Sequence, residues 1–313
     1  MKVENTGRAR IAYRPLDGIL LFDKPLGLSS NIALQKVRRL FRAAKAGHTG
    51  TLDPLATGLL PICFGEATKF TGTLLDADKS YRALLRLGQV TTTGDAEGEV
   101  IAEYPVEVDE VRVLQVLPQF TGEIEQLPPM YSAIKHAGKP LYEYVRKGKT
   151  VERTPRRVTI YELKLDRFAG IELEITVRCS KGTYVRTLAE DIGQALGCGA
   201  HLKGLRRLSI GDFRLEQAHG WEQLESMDEA VREACLLPLD CLLQDLPMLE
   251  LADEQVRRIA QGQRLAVDGA SSDGRMRLYG SQGFLGTAVL TGHILQPERL
   301  LSQVAKNAAR SSN

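Results

Sequence analysis

Apolar positions along the chain recur with two periods, and the alternation between those periods divides it into strands and helices. The run "GILLF" ends at "DKPLG", where Pro25 and Gly27 stop further ladder pairing, so the segment is read as a strand entering a turn. In "SSNIALQKVRRLFRAAK" the apolar Leu34, Val37, Leu40 and Phe41 return at helical spacing, and Ser30 or Asn31 can cap the start. Lys36, Arg38, Arg39 and Arg42 fall largely on the other side, which predicts a helix with a basic face. Alternation of period two then marks "SYRALLRLG", "GEVIAEYPV", "RVTIYELKLDRF" and "GIELEITVRCSKG", with helices predicted near 108–120 and 184–196. Strands and helices mix without a regular β-α-β rhythm. This predicts an α+β fold with a largely antiparallel mixed sheet flanked by helices. Past about residue 247 a helical "DEQVRRIAQG" is followed by short Gly-punctuated strands, a second and smaller β-rich unit. The acidic stretch from Ser226 to Leu246 is apolar at helical intervals and is read as a packed helix, not a flexible linker.

Composition bounds the class. With 313 residues, 43% of them hydrophobic, the chain can bury a sizeable core, and its length suits about two domains. The opening "MKVENTGRAR" lacks the apolar stretch of a secretory signal, and no run approaches the ~18 apolar residues of a membrane span, so a cytoplasmic protein is expected. Five cysteines, with no C-x-x-C pair, predict reduced thiols without a disulfide framework or zinc knuckle. The net charge of +2 hides two opposed blocks. Eight Lys or Arg face two Glu between Tyr131 and Ile160, whereas nine Asp or Glu face one Arg between Glu225 and Glu254. Tyrosines interleave with the cations of the first block, a combination suited to phosphates and bases together. The acidic block is read as a solvated face.

The chemistry centres on "GHTGTLDPLATGLLP", residues 47–61. Asp53 followed by Pro54 has the make-up of an N-cap for a helix "PLATGLL". A functional carboxylate at the same place needs a partner to aim it. One candidate lies in "CSKGTYVRTLAEDIGQALG", where a helix starting near Thr183 puts Tyr184 and Arg186 in its first turn. A cation there opposes the helix dipole at a cost of a few tenths of a kcal/mol or more, which a bidentate pair with Asp53 would remove. The alternative is an arginine that reaches solvent. His48 has no second histidine at ligand spacing, so no metal is expected, and Tyr81 at a strand start can be core or rim. Neither a phosphate-binding G-x-x-x-x-G-K-[ST] loop nor a dinucleotide fingerprint occurs, which speaks against ATP or NAD.

The segments "GILLFDKPLGLSSN", "AGHTGTLDPLATGLLPICFGEATKF", "DKSYRALLRLGQVTTTGDAEGEV", "PPMYSAIKHAGKPLYEYVRKG" and "CSKGTYVRTLAEDIGQALGCGAHLKGLRRLSIGDF" together resemble the bacterial tRNA pseudouridine-55 synthases of the TruB type. The G-H-T-G-x-L-D-P-x-A-T-G core is highly specific. The resemblance implies the pseudouridine synthase fold and isomerisation of one T-loop uridine, by base flipping and without a cofactor. It assigns Asp53 as nucleophile, Tyr81 as stacking and proton-transfer group, and Arg186 as partner of the carboxylate. Tyr184 would shape the uracil pocket, His48 would fill the space left by the flipped nucleotide, and the main chain at Leu205 would hold an edge of the base. Lys24 and Pro25 would support the site. It further implies a catalytic domain over 1–247, with an RNA-gripping thumb near 124–152 in which Lys135, Lys139, Arg146 and Lys147 meet RNA. A PUA-like RNA-binding domain would occupy 248–313. The expected partner is the tRNA T-arm, met by a monomer without membrane or metal. The basic arm "KVENTGRARIAYRP" receives no role. A tRNA-binding or folding module without catalysis is the alternative, and a glycosidase-like site would need a second carboxylate, for which Asp23 is the nearest candidate.

Overall fold

In the computed structural model, residues 12–132, 134–136, 138–145, 148–149, 151–267 and 273–304 are described. Chain order begins with β1 (Gly18–Lys24), α1 (Ser30–Leu40), β2 (Ala46–His48), β3 (Ala56–Phe64), α2 (Gly72–Asp76), β4 (Lys79–Leu87), β5 (Gln89–Thr91), β6 (Val100–Glu103), α3 (Glu110–Val116) and β7 (Gly122–Gln126). It continues through β8 (Lys135–His136), β9 (Lys139–Pro140), α4 (Leu141–Val145), β10 (Arg156–Ala169), β11 (Glu172–Cys179), α5 (Val185–Leu196), β12 (Ala200–Ile210), β13 (Phe213–Arg214), α6 (Trp221–Ser226) and α7 (Glu229–Glu233). The main sheet runs β1-β3-β12-β4-β11-β10-β7, with β2 added at β3 and β13 at β12. Its pairs are antiparallel except β3 with β12, which are parallel. The sheet is thus mixed and largely antiparallel, as the alternating segments predict.

That one parallel junction sets the site. Gly58 on β3 stands opposite Arg207 on β12. Its φ is +98°, and a Cβ there would lie 2.4 Å from the Arg207 carbonyl oxygen, so only glycine allows the two backbones to close. The predicted helix over "PLATGLL" is not formed: Ala56–Phe64 is a strand, buried at every position but Thr57. A run covered by neighbours on both sides loses its alternation, and Asp-Pro before such a run imitates a helix start.

Helices cover the sheet. On one face, Val113 and Val116 of α3 and Leu188 and Ile192 of α5 join a buried cluster with Leu85, Ile175 and Leu202. Elsewhere Ala33, Leu34 and Val37 of α1 pack with Phe22, Leu60 and Phe64. The start of α1 is capped by Ser29, whose hydroxyl accepts from the Ile32 N–H at 3.3 Å. The next residue, Ser30, donates to the Leu52 carbonyl (2.9 Å) and accepts from the Leu52 N–H (2.7 Å), which fixes the loop just before Asp53.

The acidic stretch is packed, but not as one helix. Between α7 and a 3-10 turn at Leu239–Leu243 the chain is extended, and Leu237 exchanges hydrogen bonds with Ile19 of β1 at 3.0 and 2.8 Å. The exposed ladder of β1 offers those bonds, and Pro238 has no N–H with which to continue a helix. Seven of the block's nine acidic residues are exposed, as a solvated face predicts, and on that face Glu229 pairs with Arg14 and Arg42, and Glu233 with Arg14.

The last part forms a second sheet, ordered β14-β16-β17-β18-β15, from β14 (Met248–Glu250), β15 (Leu265–Ala266), β16 (Gly274–Gly280), β17 (Gly283–Thr291) and β18 (Ile294–Leu300). Helix α8 (Asp253–Ala260) packs on it. This β-rich unit shares one buried cluster with the main sheet, joining Leu278, Leu290 and Leu295 to Ile19, Leu59 and Cys63. Lys69 reinforces the junction by donating to the Leu300 carbonyl at 2.8 Å.

Candidate functional site

Asp53 ends the loop that Ser30 holds, in a turn closed by the Ala56 N–H on the Asp53 carbonyl (3.0 Å). Its carboxylate, 48% exposed, does not cap a helix but lies 3.3 Å from Nη2 of Arg186. Arg186, the second residue of α5, is only 8% exposed. Its Nη1 lies 3.3 Å from Asp95 Oδ2, and its Nη2 donates to the Tyr131 carbonyl at 2.6 Å. The guanidinium therefore bridges an exposed and a buried carboxylate, which fixes its plane. Asp95, 3% exposed, is held in turn by the Thr93 hydroxyl (2.6 Å) and the Glu97 N–H (3.1 Å). The main chain of Tyr184 is clamped by Gln126 of β7, which accepts from its N–H (3.0 Å) and donates to its carbonyl (3.3 Å).

Asp53, Tyr81, Tyr184, Arg186 and Leu205 surround one cavity of ≈ 660 Å³, with Asp95, Glu97 and Tyr131 completing it. Five of the residues singled out in the sequence thus converge from separate elements. The cavity is of a size that holds a small ligand. Burial pushes the Tyr81 phenol up from its ordinary pKa, an effect that Arg207 opposes. Burial likewise raises the Tyr184 phenol. The Leu205 carbonyl accepts from the Thr57 hydroxyl at 3.4 Å.

The supporting residues lie behind the wall. Lys24 is fully buried and donates to the carbonyls of Pro25 (3.0 Å) and Leu28 (2.6 Å), so it braces the turn of which Pro25 is part. Burial pushes its amine down to about 8, and the Asp53 charge opposes this. That turn meets the Asp53 loop through the Gly27 N–H on the Pro54 carbonyl (2.9 Å). His48 lies in β2, half-buried and outside the cavity wall; burial lowers its pKa, with the Arg207 charge adding to the effect. Asp23 faces away as a forked partner of Arg206, at 3.1 and 2.6 Å, and is no second carboxylate for this cavity. Lys135 and Lys139 lie in the β8-β9 hairpin, with Lys139 exposed, while Arg146 and Lys147 fall outside the described residues. A wider cleft of ≈ 770 Å³, near Asp76, Asp212 and Asp245, contains none of these groups.

Sequence reading missed Asp95, Gln126 and Arg207. For Asp95 the signal was present in "TGDAEG", a carboxylate amid turn residues much like the Asp53 segment. Gln126 and Arg207 gave none, because each is one polar position in an ordinary strand pattern. Among the described residues, no group of three or more His, Cys, Asp or Glu is arranged to hold a metal ion, and no helix is long and apolar enough to cross a membrane.

Comparison with known proteins meets this arrangement from the other side. The chain is 56% identical over 293 residues to the tRNA pseudouridine synthase B of Chromohalobacter salexigens, covering 92% of this chain and 95% of that one. It is 55% identical over 295 residues to the protein of that name from Methylobacillus flagellatus, covering 94% and 98%. Among solved structures, a Cbf5-Nop10-Gar1 complex superposes with a TM-score of 0.69 at 26% identity, over 93% of this chain and 85% of its counterpart. Residues 38–185 match the TruB family pseudouridylate synthase N-terminal domain, 186–244 the tRNA pseudouridylate synthase B C-terminal domain, and 247–301 the pseudouridine synthase II TruB C-terminal domain. With successive matches along its length and relatives above half identity, the chain belongs to the TruB family of pseudouridylate synthases.

Proposed function

We propose that this protein converts uridine 55 in the T-loop of tRNA to pseudouridine, with Asp53 as nucleophile and without a cofactor. The observation that carries this reading is the exposed Asp53 carboxylate held at 3.3 Å by the buried Arg186, on the wall of a cavity also bounded by Tyr81 and Tyr184. A T-loop uridine must leave its stack to be reached, at a cost of a few kcal/mol that aromatic walls offset. Asp53 attacks carbon, and the N1–C1′ bond breaks. The base turns, a C5–C1′ bond forms and the Asp53–carbon bond breaks, which returns the carboxylate to its starting state. C5 then gives its proton to Tyr81 and N1 takes one from water, so the product is an isomer of the substrate. Arg186 cannot lose its proton in this cycle and serves to aim the carboxylate. The main chain at Leu205 holds an edge of the uracil, and His48 occupies the space the nucleotide leaves.

RNA is gripped on two further surfaces. The basic segment near 124–152 closes over the T-arm as a thumb, and its base adjoins the site through the Tyr131 carbonyl on Arg186. The C-terminal sheet acts as a PUA-like RNA-binding domain over 248–313, and the protein works as a monomer. The deciding experiment is tritium release from tRNA carrying 5-³H-uridine. Wild type should release label and Asp53→Asn none. Equal release from both would remove Asp53 as nucleophile, and binding without release by either would favour the non-catalytic folding module.

A further inference from the structure

Arg207 is 1% exposed and the bulkiest of the fully buried side chains. It follows Arg206 on β12, and the strand's alternation separates them: Arg206 pairs with Asp23, whereas Arg207 points inward. There Nε donates to the Leu59 carbonyl at 2.6 Å and Nη2 to the Gly50 carbonyl at 3.4 Å. Among the described residues no carboxylate forms an ion pair with it. A guanidinium cannot shed its proton, so this charge stays buried without a counter-ion, an expensive arrangement unless something uses it.

The titratable group against it is Tyr81. The two are register partners across β12 and β4, and the guanidinium faces the phenol. Tyr81 is also faced by Cys179 of β11 and by Asp53, both of which disfavour a phenolate. Lys24, His48 and Lys79 feel the same Arg207 charge, each being made harder to protonate by it. Arg207 alone among these neighbours favours the ionised phenol.

We propose that Arg207 is a positioning residue for the isomerisation, holding Tyr81 against the cavity and stabilising the phenolate that accepts the C5 proton. The inference rests on the function proposed above. In balanced form, Tyr81 first loses its phenolic proton to water under the field of Arg207. After C5 has joined the sugar, its C–H bond breaks, the electron pair closes the C5–C6 double bond, and the proton passes to the phenolate. N1 gains a proton from water, and Tyr81 returns to its starting state.

The test uses the full-length protein and a T-arm stem-loop with 5-¹H- or 5-²H-uridine, under single turnover across pH about 6 to 9.5. Arg207→Gln should lose roughly tenfold in rate near neutrality for each unit by which the phenol rises. The loss should shrink as pH rises, and a deuterium isotope effect absent from wild type should appear. Arg207→Lys keeps the charge but not the fork, and should show the same signature at smaller amplitude; it carries the test should Arg207→Gln not fold. A loss independent of pH and without an isotope effect would mean a merely structural arginine and overturn the proposal, as would an unchanged rate. Wild type without turnover would instead overturn the isomerase reading itself.

Discussion

Gly58→Ala probes how closely β3 must sit against β12. The added Cβ would lie 2.4 Å from the Arg207 carbonyl oxygen and 2.7 Å from its nitrogen, against the 3.0 Å below which real Cβ atoms essentially never approach. Both neighbours are backbone, so the strands themselves have to part by roughly half an ångström. At φ +98° an alanine also carries strain of about 1–3 kcal/mol. Parting the strands weakens the parallel ladder and the Arg207 bond to Leu59, at about 1 kcal/mol each. The sum is on the order of 3–5 kcal/mol. Gly27→Ala is the control: its φ is +81° but nothing lies within 4 Å of the added atom, so strain alone remains, about 1–2 kcal/mol. Urea unfolding followed by far-UV circular dichroism compares the two, with equal m-values required for the comparison to hold. If Gly58→Ala proves no less stable than Gly27→Ala, the close approach does not govern the junction and the reasoning fails.

Three other perturbations test the site and the basic segment. Asp95→Asn keeps the shape that Thr93 and Glu97 recognise but removes a charge from Arg186; it should cost about 3 kcal/mol of stability, the low end for a broken buried pair because Asp53 remains. Single-turnover rates should fall with it while RNA affinity holds, and a wild-type rate would contradict the bridging role of Arg186. Lys24 is held at about 8 in the fold against an ordinary 10.5, so between those values the unfolded chain binds the extra proton. Its penalty is fully present below pH about 8 and fades towards 10.5, and wild-type stability relative to Lys24→Met should rise across that window; a flat difference in denaturation midpoints would refute it. Charge reversal at Arg146 and Lys147 should weaken T-arm binding and flatten its salt dependence by about 0.7–0.9 in log–log slope per lost phosphate contact, without changing the bound-state rate. An unaltered slope would exclude these side chains from the RNA interface.

The periodicity of Leu34, Val37 and Phe41 was enough to place α1, and alternation was enough to place β4, β10 and β11, because each has one covered and one freer face. β3 defeated the same reasoning, since its two covered faces erase the alternation and leave Asp53-Pro54 as the only local cue. The Asp53–Arg186 pair was legible because a cation at a helix start poses an electrostatic problem visible in one dimension. Asp95 poses none until the fold forms. It is buried because Ala96 and Gly94 exchange backbone hydrogen bonds with Leu202, at 2.9 and 3.0 Å, which docks an ordinary turn on β12. Arg207 was hidden for a related reason: "LRRL" does not say which arginine faces in.

The ion pairs between Arg14, Arg42 and the glutamates of α7 have a wider meaning for how charge is presented. Arg14 and Arg42, beside α1, already have counter-ions in Glu229 and Glu233, so they contribute little field beyond the molecular surface. The stretch from Tyr131 to Ile160 carries eight cations to two anions, and although Glu123 and Glu125 of β7 pair with Arg157, its own sequence leaves an excess of positive charge. Over a Debye length of about 8 Å, such unbalanced charge acts on an approaching polyanion and paired charge does not. Glu229 and Glu233 thus mask Arg14 and Arg42, so that in a near-neutral protein the charge presented outward depends on where the fold places each counter-ion.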